Sequence, residues 1–398
     1  MLALGGAHAA APPAVVFQLH ADHQRLAARL QAAADDILAQ YTEWFGAPPA
    51  DRLVIDTVPY QQARTPDQPG HAVVPLHWLQ PDRSMLMEAD LARALARQWW
   101  GVAVQVPDQF LADGLVEYAQ ARAVERIYDR RHQRVAYTTY EARYFGGLLP
   151  WAIRALRLER PTAGVNRGAY RRVPDIDVRS TDPAFAPARA AKVATALVTL
   201  ERYIGWPALQ RGLALAASWH RGRTMTAADF ARTMSDASER DLSWFFDPLF
   251  NGPTRWGYAV ESIAAEVQPN TRCGDVPCVR STVVVRRDGN TPFPGTSHAP
   301  VGDFESGRAV ELAFEFVNGE TVEQRWDGRA EARTFVFDAP VPIVRASVDP
   351  RHVLMMDLRP ADNRRSTQPE PADIGVVSWS ARWTIWLQDL LMTHAFLY

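Results

Sequence analysis

Arg93-Ala94-Leu95-Ala96-Arg97-Gln98-Trp99-Trp100-Gly101, followed shortly by Phe110-Leu111-Ala112-Asp113-Gly114-Leu115-Val116-Glu117-Tyr118, is the stretch on which the reading of this chain turns. Residues 84–99 read as a helix, with Ser84 as N-cap and Glu88 near the first turn. Residues 113–126 read as a second helix. Arg93 and Arg97 stand one turn apart and share a face, where like charges repel unless paired. Asp113 and Glu117 have the same spacing on the second helix. Trp99, Trp100 and Tyr118 read as core packing that keeps the two helices in register.

Working outward, Leu26, Leu30, Ala33, Ile37, Leu38 and Tyr41 recur at helical spacing until Gly46 and Pro48-Pro49 stop the pattern. Residues 53–58 and 72–79 read as strands between Gly/Pro/Asp-rich turns. Downstream, residues 160–189 are rich in Pro, Arg and Asp and read as a solvated loop, with Arg167, Arg171, Arg172 and Arg179 as the option for an acidic partner. Helical patterns return at 190–203, 207–218, 227–234 and 241–250. After about Tyr258 the period changes. Residues 281–287, 309–317, 334–337 and 343–348 alternate or are β-branched, punctuated by Asp288-Gly289, Asn318-Gly319 and Asp327-Gly328. That is the pattern of a β-sandwich-like unit. Residues 363–371 read as a polar linker. The aromatic helix beyond it carries Trp379, Trp383, Trp386, Leu387, Leu390 and Leu391 on one face. It fits docking onto the protein's own core; contact with a membrane surface through residues 376–398, or binding of a partner helix, is the alternative.

Composition excludes some classes. The chain has 398 residues, 43 Lys and Arg against 45 Asp and Glu, and a formal charge of −2. A near-neutral chain gives no electrostatic footing for nucleic acid. Lys192 is the only lysine, and coding bias accounts for the arginine excess. No apolar run is long enough to span a bilayer. The Ala-rich start, with its Ala7-His8-Ala9 step, makes a poor signal peptide. Cys273 and Cys278 cannot form a four-ligand zinc knuckle. Their Gly/Pro loop permits a disulfide, which implies an oxidising compartment; two free thiols are the alternative. An extracytoplasmic or membrane-associated location is favoured over the cytoplasm.

The two quoted segments resemble the core of M1-family aminopeptidases, zinc metallopeptidases of the gluzincin, thermolysin-like type. There a helix reads His-Glu-x-x-His-Gln-Trp-(Trp/Phe)-Gly, and the next opens Trp-Leu-x-Glu-Gly-(Leu/Phe)-Ala-x-Tyr. Two His at i and i+4 bind zinc, the Glu beside the first is the general base for the zinc-bound water, and the Glu of the second helix is the third ligand. Leu200-Glu201-Arg202-Tyr203-Ile204-Gly205 resembles the helix end after the family's catalytic Tyr. Asp241-Leu242-Ser243-Trp244-Phe245-Phe246 resembles its Asp-Leu-Ser-Trp-Phe-Phe segment. The resemblance covers residues 45–255. It implies an α+β chain: an N-terminal helix plus small sheet over 1–82, a mainly helical, thermolysin-like peptidase domain over 83–255, a β-sandwich-like domain over 256–352, and a linker with an amphipathic helix over 353–398.

The departures fall on the chemistry. Arg93 and Arg97 occupy the two His positions, Ala94 that of the base, Asp113 that of the third ligand, and Ala190 that of the catalytic Tyr. The Gly-x-Met-Glu-Asn strand is missing, and Met87-Glu88 lies on the wrong element. Arginine stays protonated and carries only donors, so it ligates no cation. His20 and His23, the one close histidine pair, lack a third ligand and read as a surface helix face. Zinc, the family's cofactor, is therefore expected to be absent. Instead, two arginine–carboxylate bridges, from Arg93 and Arg97 to Asp113 and Glu117, are expected to fill a remnant cleft. The expected function is an inactive M1-like pseudopeptidase kept for binding a peptide or protein, with the 72–79 edge able to accept a peptide strand. The alternatives are an active zinc aminopeptidase with a divergent site, or a truncated, decaying product, the latter suggested by the short segment ahead of the first quoted helix.

Overall fold

The computed structural model describes residues 13–59, 68–76, 86–130, 170, 173–293 and 310–368. The aromatic helix at 376–398, Ser84 and the arginines Arg167, Arg171 and Arg172 lie outside them. The described chain is α+β. It opens with strand β1 (Ala14–Gln18), a 3₁₀ turn (Ala21–Leu26) and helix α1 (Ala27–Phe45). Strands β2 (Arg52–Pro59) and β3 (His71–Leu76) follow. The three strands form one parallel sheet in the order β1-β2-β3, with Val15 opposite Leu53 and Ile55 opposite Ala72. The strand over 14–18 is an addition to the sequence reading, which took residues up to Val16 as the Ala-rich start.

Helix α1 buries the face Leu30, Ala33, Ile37, Leu38, Tyr41 and Trp44. That face meets α2 (Leu86–Trp99) through aromatic rings: Tyr41 and Phe45 lie 5.7 and 6.2 Å from Trp99, and Phe45 lies 5.2 Å from Trp100. Helix α3 (Gln109–Arg130) is longer than the sequence pattern indicated. Then come α4 (Ala186–Ile204), α5 (Trp206–Trp219), α6 (Ala227–Ser238) and α7 (Ser243–Asn251). Gly205 separates α4 from α5 at φ +86°, a conformation glycine adopts without strain. Thr226 and Asp229 form a reciprocal capping box that starts α6. The loop expected over 160–189 is shorter at its C-terminal end, because residues 186–189 already belong to α4. Arg179 is held by Asp177 at 2.8 Å.

The β-rich part is two antiparallel sheets. One runs β4-β5-β8, from β4 (Tyr258–Cys273), β5 (Val276–Arg287) and β8 (Ala332–Ala339). The other runs β10-β9-β6-β7, from β6 (Val310–Phe316), β7 (Thr321–Trp326), β9 (Ile343–Val348) and β10 (Arg364–Ser366). Their inner faces meet: the ring of Phe314 lies 5.3 Å from Phe335 and 4.9 Å from Phe337, and Ser281 Oγ accepts a hydrogen bond from the Ile343 amide at 3.0 Å. An aromatic cluster joins this layer to the helices, with Phe293 within 5.4–5.7 Å of Trp244, Trp256 and Tyr203. Cys273 and Cys278 form a disulfide near the tip of the β4–β5 hairpin.

The segment from 353, expected as a linker, is corrected over its first part. Leu354, Met355 and Met356 are buried, and the Met356 amide donates to Thr199 Oγ1 on α4 at 3.2 Å. Asp349 accepts from the amides of Val353 and Leu354, both at 2.8 Å. Residues 364–366, expected in the polar linker, pair with β9.

Candidate functional site

The two quoted segments lie on α2 and α3, and the structure brings their four charged side chains together. Arg97 Nη2 lies 3.6 Å from Asp113 Oδ1, and Arg93 Nη2 lies 3.9 Å from Glu117 Oε2. Both separations fall outside hydrogen-bond range, so these are ion pairs held by charge. The arginines are 32% and 25% exposed, Asp113 is 22% exposed and Glu117 only 3%. Ala94 lies buried between the two arginines on α2.

Ala190 is buried on α4, which packs closely on α3 at Gly114. A Cβ at Gly114 would overlap the Val193 side chain, so the glycine after Asp113 sets how near the two helices come. Lys192, two residues on from Ala190, is buried and donates to the Ile176 carbonyl at 2.7 Å. Burial pulls its ammonium down to about 8, against the opposing pull of Asp175 and Asp177.

Several groups that position the site escaped the sequence reading. Glu88 is fully buried and accepts from Arg29 Nε at 3.0 Å and Nη2 at 2.7 Å, a bidentate pair that ties α2 to α1. Tyr41 donates to the Ala92 carbonyl at 3.0 Å. Gln98 clamps α2 to β3: its Oε1 accepts from the Gly70 amide at 3.1 Å, and its Nε2 donates to the His71 carbonyl at 3.0 Å. Asp90, one turn before Arg93, is pushed up to about 7 by burial, with the Arg93 charge opposing.

On α3, Tyr118 donates to Glu201 Oε2 at 2.5 Å, and Arg122 pairs with the other oxygen of the same carboxylate. The Arg122 guanidinium also lies over the Trp206 ring at 3.3 Å from its centroid. Tyr118, Arg122 and Glu201 line a cavity of about 150 Å³ with Glu125, Val198 and Arg202. Burial, then the Glu201 charge, hold the Tyr118 hydroxyl well above its usual range. The partners are more than seventy residues apart in sequence, which is why spacing gave no hint of them.

The donor set does not fit a divalent cation. The faces at 93 and 97 present guanidiniums, which have no lone pair to offer a metal, and their charges repel one. Among the described residues, no group of three or more His, Cys, Asp or Glu could hold a metal ion. The His20–His23 pair is corrected in place and exposure. His20 caps the 3₁₀ turn before α1 and stays partly exposed; His23 lies on that turn, its ring centroid 5.5 Å from that of His20, and is buried rather than on a surface. Burial, and then the neighbouring His20, lower the His23 imidazole below its usual range. The proposed peptide-accepting edge is β3, an end strand of its sheet among the described residues. Gln98 already occupies the Gly70 amide and the His71 carbonyl.

No protein-family model matches the chain, and no curated protein matches it. Among solved structures, it is similar to Legionella pneumophila aminopeptidase A, determined in complex with aspartic acid. The identity is 14% and the TM-score 0.50, over 84% of this chain and 35% of that one. The chain thus spans about a third of that protein's length, and the likeness is one of fold.

Proposed function

We propose that this protein is a catalytically inactive, peptidase-like protein: an M1-type, thermolysin-like fold whose zinc site has been replaced by arginine–carboxylate pairs and whose cleft is kept for binding or scaffolding. The fold likeness to an aminopeptidase supports the peptidase-like architecture. The ordered motifs on α2, α3, α4 and α7 support the M1 assignment. The observation that carries the loss of activity is the α2 face, where Arg93 and Arg97 stand opposite Asp113 and Glu117.

Metal-assisted hydrolysis needs neutral nitrogen or carboxylate ligands, a base beside the metal-bound water, and a group to stabilise the developing oxyanion. Two fixed positive charges exclude the metal, Ala94 removes the base, and Ala190 carries no hydroxyl. Asp113 alone, engaged with Arg97, cannot replace them. The disulfide between Cys273 and Cys278 supports maturation in an oxidising, extracytoplasmic compartment.

A back-substitution tests this. The wild-type protein is expected to give no chelator-sensitive hydrolysis of a fluorogenic aminoacyl substrate. The combined variant Arg93→His, Ala94→Glu, Arg97→His, Asp113→Glu is expected to bind zinc, because α2 and α3 already place these positions face to face. Chelator-sensitive turnover by the wild-type protein contradicts the proposal. A folded back-substituted variant with no affinity for zinc contradicts the M1 assignment of the site.

A further inference from the structure

Charge at the α2–α3 contact is layered. The Glu117 side chain is 3% exposed, while the Arg93 side chain paired with it is about ten times as open. A ligand entering from solvent therefore meets positive charge first. Arg93 has five N–H donors, and its ion pair with Glu117, at 3.9 Å, is too long for a hydrogen bond. Arg97 stands one helical turn further on, about 5.4 Å along the axis, so the two planar groups open on the same side of α2. The helix that carries them is fixed at three points, twice to α1 by Glu88 to Arg29 and Tyr41 to Ala92, and once to the start of β3 by Gln98. That preorganisation is what a recognition site requires.

From this arrangement we infer that the cleft recognises a carboxylate, the C-terminus or an acidic side chain of a peptide, anchored on Arg93 with Arg97 beside it. The inference rests on the inactive-peptidase reading and names the ligand class of that same cleft. A single negative charge suits the site. Asp113 and Glu117 already balance the two arginines formally, and Asp90, buried near Arg93, leaves no positive excess, so a monoanion adds at least one uncompensated charge and a phosphate dianion at least two. The carboxylate also matches the planar fork of a guanidinium, which accepts it through two parallel hydrogen bonds.

The test is a calorimetric titration of the full chain with four probes. These are N-acetyl-Ala-Ala-Ala with a free C-terminal carboxylate, the same peptide as its amide, N-acetyl-Ala-Asp-Ala amide, and inorganic phosphate. Both carboxylate-bearing peptides are expected to bind, with the uncharged amide weaker by roughly tenfold or more. Arg93→Gln is expected to erase that difference and Arg93→Lys to restore part of it, each with its folding checked by Tm. Equal affinity for acid and amide, a difference that survives in folded Arg93→Gln, or no peptide binding at all overturns the inference. Phosphate binding without peptide binding overturns it as well, marking a free-oxyanion site. Should Arg93→Gln not fold, the acid-to-amide ratio on the wild-type protein still decides. Zinc content and aminoacyl hydrolysis, measured on the same preparation, report separately on the inactive-peptidase reading. A zinc-free, inactive protein that ignores carboxylates leaves that reading intact and removes only the ligand class.

Discussion

Lys192, the one lysine of the chain, sits fully buried and, among the described residues, donates to one carbonyl, that of Ile176. Its folded-state pKa of about 8 lies below the ordinary 10.5, so the folded protein releases this proton before the unfolded chain does. Between those two values the unfolded state binds more protons, and stability rises with pH. The cost of the buried charge is present in full below pH 8 and is relieved by about pH 10.5. The difference in unfolding free energy between wild type and Lys192→Met is expected to shift in favour of wild type across that window. A pH-independent difference, measured by urea unfolding, contradicts the burial argument. Gly114 is a second such position. Gly114→Ala must push α3 away from Val193 and is expected to destabilise by about 1–3 kcal/mol, the usual range for overpacking; an unchanged urea midpoint would refute that close approach. At Arg93, replacement by Ala removes one ion-pair partner of a carboxylate that is 3% exposed, and a lower Tm is expected. An unchanged Tm removes the structural role of the bridge.

Helices α2 and α3, the longer helices after them, and strands β2, β3, β5, β6, β8 and β9 were legible because apolar residues recur at one clear period. The strands missed lack that signal for identifiable reasons. β1 is five residues after a Pro pair in an Ala-rich start. β4 is sixteen residues long, but from Ala264 to Arg272 its residues are exposed or half-buried one after another, so that part shows no alternation. β7 is largely polar, and β10 is only three residues. The four charged side chains at the α2–α3 contact were legible from i, i+4 spacing on two helices together with the family resemblance that set those helices face to face. Asp90 was not, because its shifted acidity comes from burial. Neither were Glu88–Arg29 and Gln98–β3, whose partners lie 59 and about 27 residues away. The Gln98 clamp makes a prediction at this scale. Gln98→Ala leaves the Gly70 amide and His71 carbonyl unpartnered by α2, and is expected to cost about 1–3 kcal/mol and to speed amide exchange at the start of β3. Unaltered exchange there means that α2 is held by packing alone. The disulfide is another element-scale device. It closes a short loop, so Cys273→Ser with Cys278→Ser is expected to lose about 2 kcal/mol of stability. A double variant as stable as wild type shows that the hairpin does not depend on it.

At the scale of the whole molecule, a near-neutral chain joins a helical layer, fronted by a small parallel sheet, to a two-sheet β layer through the Phe293, Trp244 and Trp256 cluster. The segment after residue 353 does not leave this body at once: Met356 hydrogen-bonds back to α4, and β10 extends the second sheet. Sequence patterning alone could not show this, because a three-residue polar strand and a Met-Met pair in a Pro-containing stretch carry no period. On the function proposed above, a peptidase-like body persists without its chemistry because α2 and α3 are fixed by aromatic packing, by Gly114 and by the Gln98 clamp, none of which involves a metal. The arginine–carboxylate pairs link the same two helices. The most direct measurement of this claim is the zinc content of the purified full chain after equilibration with excess zinc and removal of loosely held metal. The account predicts well under one zinc per chain; one zinc per chain, removable by a chelator and lost on mutating Asp113, would contradict it.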